Sequence, residues 1–188
     1  APVVEPVLDP KEIAAREKAQ RKQDALTLNK LKSAIQPIMD MLKKKHRRFF
    51  KPILEPNWYA YLIDEQNPNH FTSDLDRERQ EAEGADRPWE LSKDNKGVGV
   101  LLHVASGNKY YNLDLSQIEQ RLSNGYYKRP KDFLFDVKTL AKDSRTYRDI
   151  ERTLKANEMV ANVEVDIDSW FYTGDAQFLW LSKECDAL

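Results

Sequence analysis

Metal and nucleophile chemistry in this sequence would have to come from three histidines and one cysteine. His46, His70, His103 and Cys185 lie far apart and show no ligand spacing. There is no Gly-rich phosphate loop, nucleophile elbow or HExxH pattern, and the carboxylates sit in mixed-charge runs that read as solvated faces. The expectation is therefore no catalytic residue, no metal site and no cofactor. What the residue types do offer is charge, unevenly placed. Residues 11–52 hold 13 Lys and Arg against 4 Asp and Glu, a local +9, whereas 64–90 and 149–188 each hold 9 acids against 3 bases, a local −6. The run KKKHRRFFKP at 43–52 has two readings. One is a phosphate- or DNA-facing patch with interleaved aromatics. The other is a cationic helix end that complements the helix dipole, with Phe49 and Phe50 turned into the core. The acid-rich stretches are either an attractive surface for a Lys/Arg-rich partner or ordinary solvated surface.

The elements that must position these charges are legible from periodicity. At 188 residues, 32% charged and a net −1, the chain fits one domain with extensions. A lone Cys185 excludes an internal disulfide framework and suits a reducing compartment. No apolar run reaches the length of a membrane span. The opening APVVEPVLDP has neither an initiator Met nor a signal-type apolar segment, so an excised piece of a larger protein is expected. Asp9-Pro10 can start a polar helical extension that ends by residue 27. From there Leu28, Leu31, Ile35, Ile38 and Leu42 form an apolar seam, with Pro37 inside it predicting a kink. Asp114 can cap a helix that carries Ile118 and Leu122 and stops at Asn124-Gly125. Pro130 opens another with Phe133, Val137 and Leu140 on one face. After a break at Arg148-Asp149, a last stripe runs through Leu154, Met159, Val163 and Ile167.

Residues 53–110 interrupt the helical pattern. Residues 58–64 alternate enough for a strand, and 97–104 with 109–112 read as a hairpin bending at Gly107. The acidic stretch between them has room for a short helix from Ser73. The tail is too apolar to be free: Trp170, Phe171, Phe178, Leu179, Trp180 and Leu181 either fold back on the helices or form an interface.

The run NLDLSQIEQRLSNGYYKRPKDFLFDVKTL, followed by E-R-x-x-K-A-x-E-M at 151–159, resembles the core of a bromodomain, in particular that of the fungal AAA+ ATPase histone chaperones. The carrying motifs are the N-G-Y-Y turn at 124–127 and F-x-x-D at 133–136, in the family's order and spacing. The resemblance covers residues 28–170. It implies an all-α fold, a left-handed four-helix bundle whose long first loop carries a small inserted hairpin or sheet at 53–110, with 171–188 packing on the bundle. It also implies a chromatin-associated, nuclear, non-catalytic module of a nucleosome-assembly ATPase, any ATPase activity lying outside these residues.

A bromodomain holds acetyl-lysine at one end of its bundle, with an asparagine donating to the acetyl oxygen and a tyrosine holding a water. The family's Y-N pair falls here on Tyr147 and Arg148, so the tyrosine matches and the asparagine does not. Leu154 is the counterpart of the gatekeeper, and Phe49 with Pro52 that of the aromatic shelf. The water-binding tyrosine is open among Tyr59, Tyr61, Tyr110 and Tyr111. The expectation is a degenerate acetyl-lysine pocket and histone-tail binding independent of acetylation, with Asp149, Glu151 and Glu158 as an acidic tail-binding surface. The alternatives are a structural docking module within the parent assembly and a DNA contact through Lys43–Lys51.

Overall fold

Asp9 accepts a hydrogen bond from Lys11 N at 3.1 Å, and Pro10 occupies the first helical position, so the first helix starts where the local chemistry places it. This helix, α1 (Pro10–Lys45), runs unbroken for 36 residues and joins the polar extension to the first bundle helix. Burial begins at Thr27 and continues through Leu31, Ile35, Ile38, Met39 and Leu42. Pro37 lies within the helix, which continues through it. The structure, a computed structural model, describes residues 7, 9–64, 67–71 and 87–188, those at 64 and 67–71 by backbone alone.

The other three bundle helices are α2 (Leu115–Ser123), α3 (Pro130–Tyr147) and α4 (Ile150–Ile167). Asp114 caps α2 by accepting from Gln117 N at 2.8 Å, and Asp132 returns to Arg129 N at 3.1 Å at the start of α3. α3 packs along α4, and α1 contacts α2 and α4. Their apolar stripes meet in one core that includes Ile35, Ile38, Ile118, Phe133, Val137, Met159 and Val163, each with no exposed surface. Beyond α4 the chain widens into a π turn, Asp168–Tyr172, in which Thr173 N reaches back to Asp168 O. That turn buries Phe171 against Phe178 and lets α5 (Leu179–Cys185) pack on α1. Cys185 is buried there, and burial pushes its thiol up to about 11, so it is an inert core side chain at neutral pH.

The long connection from α1 to α2 carries β-structure, as expected, but not over 58–62 of the strand expected at 58–64. That segment is a 3-10 helix, Pro56–Leu62, with a kink at Tyr59, and only the two-residue strand β1 (Ile63–Asp64) follows it, paired with β2 (Asn67–Phe71). The reason is physical: Pro56 fixes a helical first turn, and Tyr59 and Leu62, three apart, fall on one side of a three-residue-per-turn helix and are both buried. The antiparallel sheet is β3 (Trp89–Lys93), β4 (Gly99–His103) and β5 (Asn108–Tyr110), in sequence order. Gly107, at φ 74°, makes the expected bend between β4 and β5. Sheet and 3-10 helix share a second core of Leu54, Tyr59, Leu62, Trp89, Leu101 and Tyr110. The helix expected from Ser73 lies outside the described residues.

Candidate functional site

The Tyr147–Asp149 break is a tight reversal between α3 and α4. Arg148 closes it in the left-handed conformation, φ 63° and ψ 29°, its N–H bonded to Arg145 O at 3.1 Å. A non-glycine residue there is strained by roughly 1–2 kcal/mol, and asparagine is one of the few types that tolerate it. The backbone thus has a shape that suits asparagine while the side chain is an exposed arginine. Asp149 caps α4, accepting from Arg152 N at 3.0 Å. Arg145, Arg148, Ile150, Thr153 and Leu154 line a shallow hollow of about 420 Å³. No asparagine, glutamine or tyrosine lines it. Leu154 is 66% exposed at its rim, and Tyr147 leans away, edge-on to Tyr110 at 6.2 Å.

On the other side of α4 the cleft against the first loop is filled. Phe49 is 1% exposed and carries the Arg152 guanidinium 4.9 Å from its ring centre and that of Arg48 at 5.8 Å. Arg152 also donates to Lys51 O at 3.3 Å, and Arg48 forks onto Glu151 at 2.8 and 3.4 Å. Burial, with Arg48 adding to it, holds the Arg152 pKa below its ordinary value. Sequence reasoning left Phe49 two places, an apolar wall of the pocket or a side chain turned into the core. The structure seats it in the core beneath two arginines, apart from the hollow that holds Arg148 and Leu154; Pro52 is half-buried and does not line that hollow. Of the acidic candidates, Glu151 is paired to Arg48, Glu158 lies 3.7 Å from Lys155, and Asp149 is a cap. Glu151 and Glu158 are seven residues apart on one exposed face of α4.

Each of the four candidate tyrosines is bonded within the protein. Tyr61 OH bonds Trp89 O and N, Tyr110 OH donates to Thr146 O, and Tyr111 OH donates to Asp94. Tyr59 OH accepts from Asn112 Nδ2 at 2.8 Å. Asn112, buried and at φ 52°, also accepts from Leu54 N at 2.9 Å and donates to Leu54 O at 3.2 Å. An amide–tyrosine pair therefore exists, but it is sealed inside and joins the insertion to the bundle. Beside it Asp143, 2% exposed, accepts from Tyr111 N at 2.9 Å and Asn112 N at 2.7 Å. Neither residue is marked by a sequence motif. The one available signal was that an asparagine two residues before the α2 cap tolerates the left-handed turn needed there. Arg152 was missed because its charge argued for solvent.

Asp143 carries a pH prediction. Burial raises its pKa from its ordinary 3.8 to about 6, against the pull of the backbone N–H groups. A raised carboxyl pKa means the folded state holds the proton more tightly. Its contribution is fully present below about pH 4 and lost as pH rises through about 6, up to about 3 kcal/mol in all. Urea midpoints across that window, taken for wild type and Asp143→Asn, should converge or cross as pH rises. Parallel curves would exclude the assignment.

A four-helix bundle is the architecture of a bromodomain, here with a small sheet inserted in the first loop and a shallow hollow at the α3–α4 turn. Residues 107–158 match the family model for the bromodomain. Over 164 residues, 87% of its length, it is 31% identical to the ATPase histone chaperone YTA7 of Saccharomyces cerevisiae, of which it spans 11%. The ATPase histone chaperone abo1 of Schizosaccharomyces pombe is 28% identical over 171 residues, and the ATPase with bromodomain protein abo2 of the same organism 28% over 165. The chain spans only 11–12% of the length of these relatives. Among the described residues no group of His, Cys, Asp or Glu is arranged to hold a metal, and no helix is long and apolar enough to cross a membrane.

Proposed function

We propose that the chain is a histone-tail-binding module of a chromatin-associated, nuclear ATPase histone chaperone, and that it holds tails without requiring acetyl-lysine. It binds and does not catalyse; ATP hydrolysis belongs to other parts of such a protein. The observation that carries the reading is the hollow at Arg148, where an exposed guanidinium stands in place of an amide and no tyrosine lines the wall. A buried amide bond to an acetyl carbonyl contributes about 1 kcal/mol net, and leaving that carbonyl unpaired costs about 1–3 kcal/mol more. For a ligand grip that is weak to begin with, that difference removes selectivity. The basic tail is attracted instead by the acids of α4, the exposed Glu151 and Glu158 and the half-buried Glu164 and Asp166, with Asp149 and Asp168 at its ends.

Titration with acetylated and unmodified tail peptides at two salt concentrations tests this. The two should bind within about twofold of each other and both weaken with salt. Glu158→Lys with Glu164→Lys should weaken both several-fold. A clear preference for the acetylated peptide defeats the proposal.

A second reading, docking within a parent assembly, is favoured by one observation. Leu26, Lys30, Ala34, Phe178, Trp180 and Leu181 line a hollow of about 400 Å³ between α1 and α5, with Leu26 54% and Trp180 47% exposed. Absence of tail binding, together with tethering of the isolated chain to the rest of its parent lost on Trp180→Ser, would select it.

A further inference from the structure

We propose that the hollow at the C-terminal end of α1 is a binding site for the phosphate backbone of duplex DNA. Lys44, Lys45, His46, Arg47, Arg48, Phe49 and Lys155 line a concavity of about 350 Å³, and no carboxylate lines it. Of the cations around it, Lys43 is paired with Glu119, Arg48 with Glu151 and Lys155 with Glu158. Lys44, Lys45 and Arg47 are exposed and have no ion-pair partner among the described residues. A helix C-terminus presents about half a negative charge. That offsets part of one of these charges, and Lys45 also acts on Asp166, which leaves Lys44 and Arg47 as the uncompensated pair.

His46 lines the hollow as a buried ring whose pKa is lowered by burial, opposed by Glu158 and reinforced by Lys45 and Lys155. The cationic surface also continues past the hollow. Lys51, Arg145 and Arg148 are exposed at the same end of the bundle and likewise unpaired among the described residues. One small anion would satisfy only the hollow. A row of phosphates satisfies the whole face, and the arginine forks match phosphate oxygens in pairs. Glu151 and Glu158 of the tail reading border this hollow through their pairs with Arg48 and Lys155, so a partner carrying both basic tails and duplex would meet acids and cations side by side.

The test is fluorescence anisotropy of the whole chain with a labelled duplex of arbitrary sequence over a salt series. Binding should follow a log–log salt slope of about −3 or steeper, each neutralised phosphate contributing about −0.9. Lys44→Glu with Arg47→Glu should weaken duplex binding at least tenfold and flatten the slope by about two. Its melting curve should stay that of the wild type, and its affinity for unmodified tail peptide should not fall. Lys18→Glu with Arg21→Glu, a control pair on the exposed arm of α1, should leave duplex binding intact. Lys44→Gln with Arg47→Gln gives a milder version should charge reversal disturb folding. The proposal is overturned by no duplex binding at low salt, by equal loss in both charge-reversed pairs, or by polyglutamate competing as well as unlabelled duplex. Loss of tail binding alone bears on the tail reading and leaves this one standing.

Discussion

Asp136→Ala should lower stability by about 3 kcal/mol, among the larger single-residue losses available outside the apolar core. Asp136 is buried, and its Oδ2 accepts from Arg121 Nη1 at 2.8 Å and Tyr127 OH at 2.7 Å. One carboxylate thus ties α2, the N-G-Y-Y turn and α3 together. Tyr127 is 3% exposed and stacked edge-on to Phe133 at 5.4 Å. Burial, then the carboxylate beside it, drives its pKa far above the ordinary phenol value, which keeps it a donor at every accessible pH. Alanine leaves that hydroxyl unpaired in the core at about 1–3 kcal/mol. The Arg121 side chain is 36% exposed, so its share is discounted for solvent to about 1 kcal/mol. Asp136→Asn keeps an acceptor for Tyr127 and should lose about half as much. The urea midpoint should fall with m unchanged. A loss below about 1 kcal/mol for alanine would mean the three elements are held by packing alone.

This node explains why the bundle was legible from sequence and its ligand end was not. F-x-x-D couples an apolar stripe to a buried acid, so Phe133, Val137 and Leu140 could be placed by period and Asp136 by motif. The caps at Asp9 and Asp114 and the bend at Gly107 were legible for the same reason: each is set by a residue's own backbone chemistry. The break at Arg148-Asp149 was found. What local chemistry does not encode is which side chain crosses between distant elements. Arg152 stacking on Phe49 joins residues 103 apart in sequence, and a charged residue gives no sign that it will leave solvent. Residues 58–64 misled because alternation and a three-residue period coincide over so short a run; only Pro56 tips the balance. Glu151 and Glu158 lie on α4 and Asp149 caps it, but nothing in the sequence marked Arg48 as the partner of Glu151.

Asn112→Ala should be nearly as costly, about 3 kcal/mol, and should act on one part of the molecule. Its side chain bonds Leu54 N, Leu54 O and Tyr59 OH, all in the second core, while its own N–H is held by Asp143 of α3. Alanine leaves the Leu54 N–H buried without a partner and must also hold φ 52°, a strain of roughly 1 kcal/mol that asparagine largely avoids. Asn112→Gly separates the two causes, since glycine removes the strain but not the lost bonds. Glycine should recover about 1 kcal/mol relative to alanine. Because Asn112 joins the insertion to the bundle, the loss should be local. Hydrogen exchange of Leu54 and of the β3–β5 amides should accelerate by a factor of ten or more, while the amides of α3 and α4 keep most of their protection. Uniform acceleration across both regions would show instead that sheet and bundle unfold as one unit. Unchanged exchange at Leu54 would show that the amide is not what fastens the sheet to the helices.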